Sequence, residues 1–373
     1  MRLLLTGGGT AGHINPAVAI ANIVSQKEKS EILFIGTEEG MEKDLVPVNG
    51  YKIKFIKIHG FERKLSFENI KVCAELLKAV GDSKKIIKEF MPDVVAGTGG
   101  YVTGPVLYAA AKMKIPTLVH ESNAYPGVTV RLLSDKVDIV ALAMKAAEKY
   151  LKNPKRVEIT GNPIRSSIMN VSKEEARKRL GIGEEKKAVL IFAGSLGAEY
   201  FGNIAADYAA DTLKKRNDIF FIMSSGKNNR YESLKERFKE RGIDAEKEKN
   251  LIFREYIYDM ENAINAADLI IARSGSSVSE TLAAGKPSVL IPSPNVAGNH
   301  QEHNARAVET AGAAKVITED KLNLKSLKET ADGILDNKAV LDKMSAAAKA
   351  AAITDAAERL YSLLNEIKNK TPK

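Results

Sequence analysis

Met1-Arg2-Leu3-Leu4-Leu5-Thr6-Gly7-Gly8-Gly9-Thr10-Ala11-Gly12-His13 is the stretch from which the fold is read. A short apolar run passes directly into glycines, and a helical pattern follows near Pro16. That order describes a buried strand, a tight turn and a helix start. Glycines in such a turn let backbone N–H groups approach an anion at the positive end of the helix. Gly7, Gly9 and Gly12 also satisfy the G-x-G-x-x-G spacing of dinucleotide-binding loops, with Glu38 a loose match for the acidic partner such loops use. His13, at the mouth of the turn, can take a proton near neutral pH.

Outward from this stretch, apolar β-branched runs alternate with helical patterns along the chain. The first half carries Leu3–Thr6, Ile32–Ile35, Ile53–Ile58, Val94–Ala96, Thr117–Val119, Ile139–Ala141 and Val157–Ile159. The second carries Ala188–Phe192, Phe220–Met223, Leu251–Phe253, Leu269–Ile271, Ser288–Ile291 and Lys315–Ile317. Continuously apolar strands separated by helices indicate parallel sheets covered on both faces, so two series predict two doubly wound domains. Gly161-Asn162-Pro163 interrupts the pattern and marks the joint. The alanine- and lysine-rich end, Leu341 to Lys370, reads as one helix with a frayed tail.

Composition narrows the class. The chain has 373 residues, 44% hydrophobic and 28% charged, a globular balance that excludes disorder, collagen and coiled coil. One cysteine, Cys73, excludes a disulfide framework and points to a cytosolic setting. No apolar run approaches the ~20 residues of a membrane span, and the N-terminus lacks a signal-peptide core. Of the net charge of +9, residues 51–88 hold +6, ten Lys/Arg against four Asp/Glu. A local excess of this kind suits a solvated helix face or an anionic lipid surface. No nucleic-acid motif accompanies it, so no nucleic-acid partner is expected.

Further polar loops fall at strand ends, where open α/β sheets bind ligands. Gly97-Thr98-Gly99-Gly100-Tyr101 follows one strand and His120-Glu121-Ser122-Asn123 the next. In the second half, Gly194-Ser195-Leu196-Gly197-Ala198 follows the first strand. Arg273-Ser274-Gly275-Ser276-Ser277-Val278-Ser279-Glu280 opens a helix whose N–H groups and hydroxyls can hold a diphosphate, with Glu280 placed to accept both hydroxyls of a ribose. His300 and His303 lie three apart, where the zinc-protease helix needs four, and no third ligand stands nearby; no metal site and no cofactor are expected.

These motifs, with Gly161-Asn162-Pro163-Ile164-Arg165 and Asn299-His300-Gln301, occur in the order found in the MurG family, which the chain resembles from about residue 3 to 315. Members transfer N-acetylglucosamine from UDP-N-acetylglucosamine to lipid I, an undecaprenyl-diphosphate muramyl-peptide, and so make lipid II for peptidoglycan, cell-wall growth and division. The resemblance implies a GT-B fold: two Rossmann-like doubly wound α/β domains facing across a cleft. It implies an acceptor-binding, membrane-associating domain over 1–162, joined by a C-terminal helix at about 350–373, and a UDP-sugar-binding domain over 163–349. Carried over residue by residue, the donor contacts are Thr10, Ala11, Gly12, Asn123, Arg165, Ser195, Ile257, Ser276, Ser277, Val278, Ser279, Glu280 and Gln301. Ala11 stands where many members have glycine.

Gly8, Gly9, Gly99, Gly100 and Tyr101 are the acceptor-side candidates, on loop chemistry and family analogy. The chemistry implied is an inverting displacement by the muramyl 4-hydroxyl, with His13 as base and Glu121 in reserve. There is no Asp-x-Asp metal motif. The lipid acceptor implies peripheral attachment to an anionic membrane surface on the cytoplasmic face. Two rivals stay open: a transferase for another glycolipid acceptor, and a UDP-sugar sensor without turnover. A nicotinamide dehydrogenase would leave the loops from Ser195 to Gln301 without a purpose.

Overall fold

The computed structural model describes residues 1–60, 68–194, 198–226 and 230–370, the side chains of 68–73 lying outside that description. The chain divides into two compact units, Met1–Ile164 with the stretch from Ile353, and Arg165–Ala352.

In the first unit the order is β1 (Arg2–Thr6), α1 (Ala11–Lys27), β2 (Glu31–Gly36), α2 (Glu42–Val48), β3 (Lys52–Phe55) and α3 (Glu68–Phe90). Then come β4 (Val94–Gly97), α4 (Thr103–Lys112), β5 (Thr117–Glu121), α5 (Val128–Leu133), β6 (Ile139–Leu142) and β7 (Val157–Ile159). The second unit runs α6 (Ser167–Asn170), α7 (Lys173–Leu180), β8 (Lys187–Phe192), α8 (Glu199–Leu213), β9 (Ile219–Ser224), α9 (Tyr231–Glu240) and β10 (Leu251–Arg254). It continues with α10 (Met260–Ala266), β11 (Leu269–Ala272), α11 (Val278–Ala283), β12 (Ser288–Leu290), α12 (His300–Thr310), β13 (Ala314–Val316), α13 (Leu324–Leu335) and α14 (Lys338–Ala351). The last helix, α15 (Ala356–Lys370), belongs to the first unit.

Both sheets are parallel throughout, as the apolar runs predict. Strand order is β3-β2-β1-β4-β5-β6-β7 in one and β10-β9-β8-β11-β12-β13 in the other. Side chains alternate along a strand, so β1 sends Leu4 to one face and Leu3 and Leu5 to the other. β8 likewise splits Val189 and Ile191 from Ala188, Leu190 and Phe192. Each such fully buried aliphatic side chain stabilises the unit by roughly 1.5–3 kcal/mol. Strand order reverses between β1 and β4 in one sheet and between β8 and β11 in the other. Those are the switch points where doubly wound sheets leave a crevice at their carboxyl ends.

Two expectations change. The first helix starts at Ala11 rather than near Pro16, because the turn after β1 is only Gly7–Thr10. The Leu341–Lys370 segment is two helices, not one. It leaves helical geometry at Ala352 (φ −74°, ψ 140°), and β-branched Ile353 packs over Gly161, where an added Cβ would come within 2.7 Å of it. That contact and the low helix propensity of Ile353-Thr354 break the helix. Leu360, Leu363, Leu364 and Ile367 of α15 are then buried in the same core as Ile14 and Ile20 of α1.

Candidate active site

Each switch point is lined by the loops singled out in the sequence, and the two are built differently. In the first unit the loops after β1 and β4 lock together. Gly8 donates its N–H to the Gly99 carbonyl at 3.3 Å. A Cβ on Gly100 would stand 2.4 Å from the Gly8 carbonyl oxygen, and one on Gly99 2.7 Å from the His13 ring. Both glycines have positive φ, +107° at Gly99 and +85° at Gly100. Backbone therefore packs on backbone where any side chain would intrude.

His13 lies in the first turn of α1 because that helix begins at Ala11. Side chains on a helix lean toward its N-terminus, and the ring reaches back to place Nδ1 3.1 Å from the Gly8 carbonyl. A carbonyl only accepts, so this contact selects the tautomer with the proton on Nδ1 and the lone pair on Nε2, and the Thr10 hydroxyl, 3.4 Å from the same nitrogen, can serve it as a second acceptor. Thr98 fixes the other side by donating its hydroxyl to the His13 carbonyl at 2.7 Å. The N–H groups of Ala11 and Gly12 are first-turn amides with no carbonyl inside the helix to receive them.

Not every amide of the loop is open to a ligand. Gly9 donates its N–H to Glu42 Oε2 at 2.9 Å, a carboxylate that nothing in the sequence pattern singles out. With Gly8 also committed, the glycine cradle expected for an acceptor diphosphate offers close approach more than donors. Tyr101 closes that side, 3.6 Å from where a Gly9 Cβ would stand.

Glu121 ends β5 and is 4% exposed. Its Oε1 accepts the backbone and side-chain N–H of Asn123 at 2.9 and 3.0 Å, and Oε2 accepts Gly127 N–H at 2.8 Å. Burial pushes this carboxyl above the usual range and those donors pull it back. With both oxygens engaged, Glu121 wraps the Ser122–Gly127 loop around itself and fixes Asn123. His120, fully buried, donates Nε2–H to the Gly161 carbonyl at 3.0 Å; burial lowers its pKa to about 4 and keeps it neutral.

The second unit holds an open cavity of ≈ 260 Å³ at its switch point, walled by Arg165, Gly194, Ile257, Ser276, Glu280 and Gln301 among others. Arg165 grips Glu280 with two parallel bonds, Nε to Oε1 at 2.7 Å and the terminal nitrogen to Oε2 at 2.8 Å. That pairing raises the Arg165 pKa against the opposing effect of burial. Gln301 accepts Ser293 N–H through Oε1 at 2.9 Å, which sets the orientation of the amide; it can offer a ligand its N–H donors and the second lone pair of Oε1. Ile257 is 4% exposed, and any contact it makes with a ligand falls to its backbone.

At the start of α11, Val278 and Ser279 already donate their N–H groups to Gly275 and Ser276, both at 3.2 Å, and the Val278 side chain is buried. The amides open to an anion there are the earlier ones, at Ser276 and Ser277. Ser195, with Leu196 and Gly197, lies outside the described residues. Arg273, conspicuous in sequence, is buried and spends its guanidinium on the Ile291 and Pro292 carbonyls and on Glu319.

Two family models match the chain. The glycosyltransferase family 28 N-terminal domain matches residues 3–142, and the corresponding C-terminal domain matches 188–360. The UDP-N-acetylglucosamine–N-acetylmuramyl-(pentapeptide) pyrophosphoryl-undecaprenol N-acetylglucosamine transferase of Acetivibrio thermocellus is 47% identical over 374 residues, 99% of either chain. The enzyme of the same name from Ruminiclostridium cellulolyticum is 42% identical, over 98% of this chain and all of its own. Among solved structures, Acinetobacter baumannii MurG superimposes with a TM-score of 0.79 at 26% identity, covering 98% of this chain and 99% of its own.

Proposed function

The chain belongs to glycosyltransferase family 28, and from that premise we propose that it moves N-acetylglucosamine from UDP-N-acetylglucosamine to the muramyl 4-hydroxyl of lipid I, giving lipid II. The full-length match to transferases of that name carries the reading; the geometry distributes the roles.

The second unit takes the donor. Glu280 accepts the ribose hydroxyls while Arg165 holds it in place. Ile257 meets the base through its backbone, the Ser276–Ser277 amides meet the diphosphate, and the amide of Gln301 donates to the sugar nucleotide. Ser195 is assigned to the diphosphate by its place in the loop after β8. The first unit takes the acceptor through the Gly8–Gly9 and Gly99–Tyr101 loops, and Thr10, Ala11, Gly12 and Asn123 complete the donor contacts.

His13 is the base. The acceptor oxygen forms its bond to the anomeric carbon as the bond to UDP breaks, the leaving electron pair stays on the diphosphate, and the hydroxyl proton passes to Nε2. Inversion converts an α-linked donor to a β-linked product. Glu121, with both oxygens engaged, positions Asn123 rather than moving protons.

Lipid I reaches the enzyme from a membrane, and no helix among the described residues is long and apolar enough to cross one. The docking face is the layer of α3, α4 and α5. There Leu77, Val128 and Leu132 are 76, 63 and 70% exposed, and Lys78, Lys84, Lys85, Lys88 and Lys112 also face outward. Lysines beside exposed apolar residues suit an anionic bilayer surface on the cytoplasmic side. Lys71, which the sequence places in the same helix, has its side chain outside the described residues.

Transfer of labelled N-acetylglucosamine to a soluble lipid I analogue tests the whole reading. His13→Ala is expected to lower kcat by roughly 10²–10⁴-fold while UDP-N-acetylglucosamine binding persists. Wild-type protein that binds donor but transfers nothing would overturn the function; transfer that survives in His13→Ala would overturn the base.

A further inference from the structure

Glu42 opens α2 and is 1% exposed. Oε2 accepts the Gly9 N–H at 2.9 Å, and Oε1 accepts the N–H and hydroxyl of Thr37 at 2.9 and 2.8 Å. Three glycines make the room it fills. A Cβ on Gly8, Gly36 or Gly40 would stand 2.4, 2.5 or 2.1 Å from a Glu42 atom. No lysine or arginine pairs with it among the described residues. A buried carboxylate satisfied by backbone and hydroxyl alone needs a reason to be there, since a neutral side chain would cost less to bury.

The reason lies in one peptide group. The Gly9 N–H that Glu42 accepts and the Gly8 carbonyl that receives His13 Nδ1–H are the two ends of the same trans peptide, pointing opposite ways. We propose that Glu42 is a positioning residue for His13, acting through the Gly8–Gly9 peptide; this rests on the reading of His13 as the base. The carboxylate pins the peptide and polarises its N–H, which makes the Gly8 oxygen a stronger acceptor. That oxygen holds the proton on Nδ1, leaves the lone pair on Nε2, and favours the charged ring once Nε2 has taken the acceptor's proton. It is the base-and-orienting-acid arrangement of activated nucleophiles with a peptide inserted between the two groups. Without the carboxylate, a peptide flanked by two glycines turns easily. The ring then reverts to the Nε2–H form favoured by free imidazole side chains, which has no lone pair at Nε2 to receive the acceptor's proton.

The experiment measures tautomer and turnover separately. Long-range proton–nitrogen spectra of ¹⁵N-labelled protein report which His13 nitrogen is protonated, the His13 signals being those lost in His13→Ala. Wild type is expected to show Nδ1–H; Nε2–H in wild type overturns the proposal outright, whatever the variants do. In Glu42→Gln one acceptor oxygen must serve where two did, and an NH₂ faces either Gly9 or Thr37. The expected result is a shift toward Nε2–H and a fall in kcat on the order of 10–100-fold, as for other residues that orient a reactive group, with the KM for UDP-N-acetylglucosamine unchanged. Thr37→Val, which keeps the bond to Gly9, is expected to retain the wild-type tautomer and most of kcat. An unchanged tautomer in folded Glu42→Gln overturns the relay even if activity falls. A shifted tautomer with full activity supports the relay and removes His13 as the base.

Discussion

Two carboxylates, Glu42 in the first unit and Glu280 in the second, stand beside switch-point loops and are held in opposite ways. Glu42 is buried and bonded to backbone N–H groups and one hydroxyl. Glu280 keeps 15% of its side chain exposed and is held by the Arg165 guanidinium. A carboxylate sealed by loop amides cannot be lent to a substrate without dismantling the loop. One held by a flexible side chain at a cavity wall can exchange partners. The same strand–turn–helix topology thus yields a loop pair closed on its own hydrogen bonds in one unit and an open cavity walled by an ion pair in the other. The glycine loops follow the same division: in the first unit they are crowded by their own backbone, whereas the second leaves a cavity.

The widest contrast is between matched glycines. Gly100 and Gly194 have nearly equal positive φ, +85° and +86°. A Cβ on Gly100 would meet the Gly8 carbonyl oxygen at 2.4 Å, and one on Gly194 would meet no described atom within 4 Å. Gly100→Ala therefore combines left-handed strain with a backbone collision and is expected to destabilise the first unit by more than about 3 kcal/mol. Gly194→Ala carries the strain alone, roughly 1–2 kcal/mol. Denaturant unfolding followed by hydrogen exchange in β4 and β8 measures both; equal losses would erase the contrast.

Sequence and structure part company along the same line. The central strands were legible because both sheet faces are covered, which makes them apolar runs, whereas the edge strands β3, β7 and β13 carry Lys54, Glu158 and Lys315 between apolar neighbours. The Ile53–Ile58 run overshoots most: β3 is an edge strand that ends at Phe55, with one further bond from Ile56 N–H to Gly36, while the Ser288–Ile291 and Lys315–Ile317 runs each pass the end of their strand by one residue. The loops were legible as glycine and polar clusters at strand ends. Glu42 was not, because Glu42-Lys43-Asp44 looks like a solvated helix start, and Gly8, whose loop supplies the Gly9 N–H, is far from it along the chain until the sheet forms. Glu121 was legible as a polar residue at a ligand edge, but the loop donors that occupy it are set by folding. A pattern reports which residues lie at the rim; it does not report whose hydrogen bonds they have already accepted.

Buried titratable groups give a second contrast, with separate pH windows. Burial lowers His120 in the first unit from 6.5 to about 4 and Lys286 in the second from 10.5 to about 8. In both cases folding disfavours the charged form, so the unfolded chain binds more protons between the two values and stability rises with pH across that interval. The first unit is expected to lose about 3 kcal/mol as pH falls from 6.5 to about 4. The second is expected to gain a similar amount between about 8 and 10.5. Hydrogen exchange in β5 and in β12 as a function of pH separates them. His120→Gln, which can still donate to the Gly161 carbonyl, should flatten the acid window and leave the alkaline one alone. An acid limb unchanged by that substitution would place the titration on another group.

The finest test concerns Glu280 itself. If its grip on Arg165 is an exchangeable rest position, Glu280→Gln keeps the shape of the cavity but weakens both the ribose contact and the hold on Arg165. A hydrogen bond to a charged group contributes roughly 1.5–3 kcal/mol, so the Kd for UDP-N-acetylglucosamine is expected to rise about 10–100-fold, with the His13 tautomer in the first unit unmoved. An exchangeable rest position requires that affinity loss without a matching loss of fold. Unchanged affinity by calorimetry would mean that Glu280 serves only to anchor Arg165, in which case both carboxylates are structural and the two units differ in crowding alone. A loss of affinity accompanied by unfolding of β11 and α11 would make the ion pair part of the frame, as Glu42 is in the other unit. The three outcomes separate a receptor from a brace at the pair whose two bonds measure 2.7 and 2.8 Å.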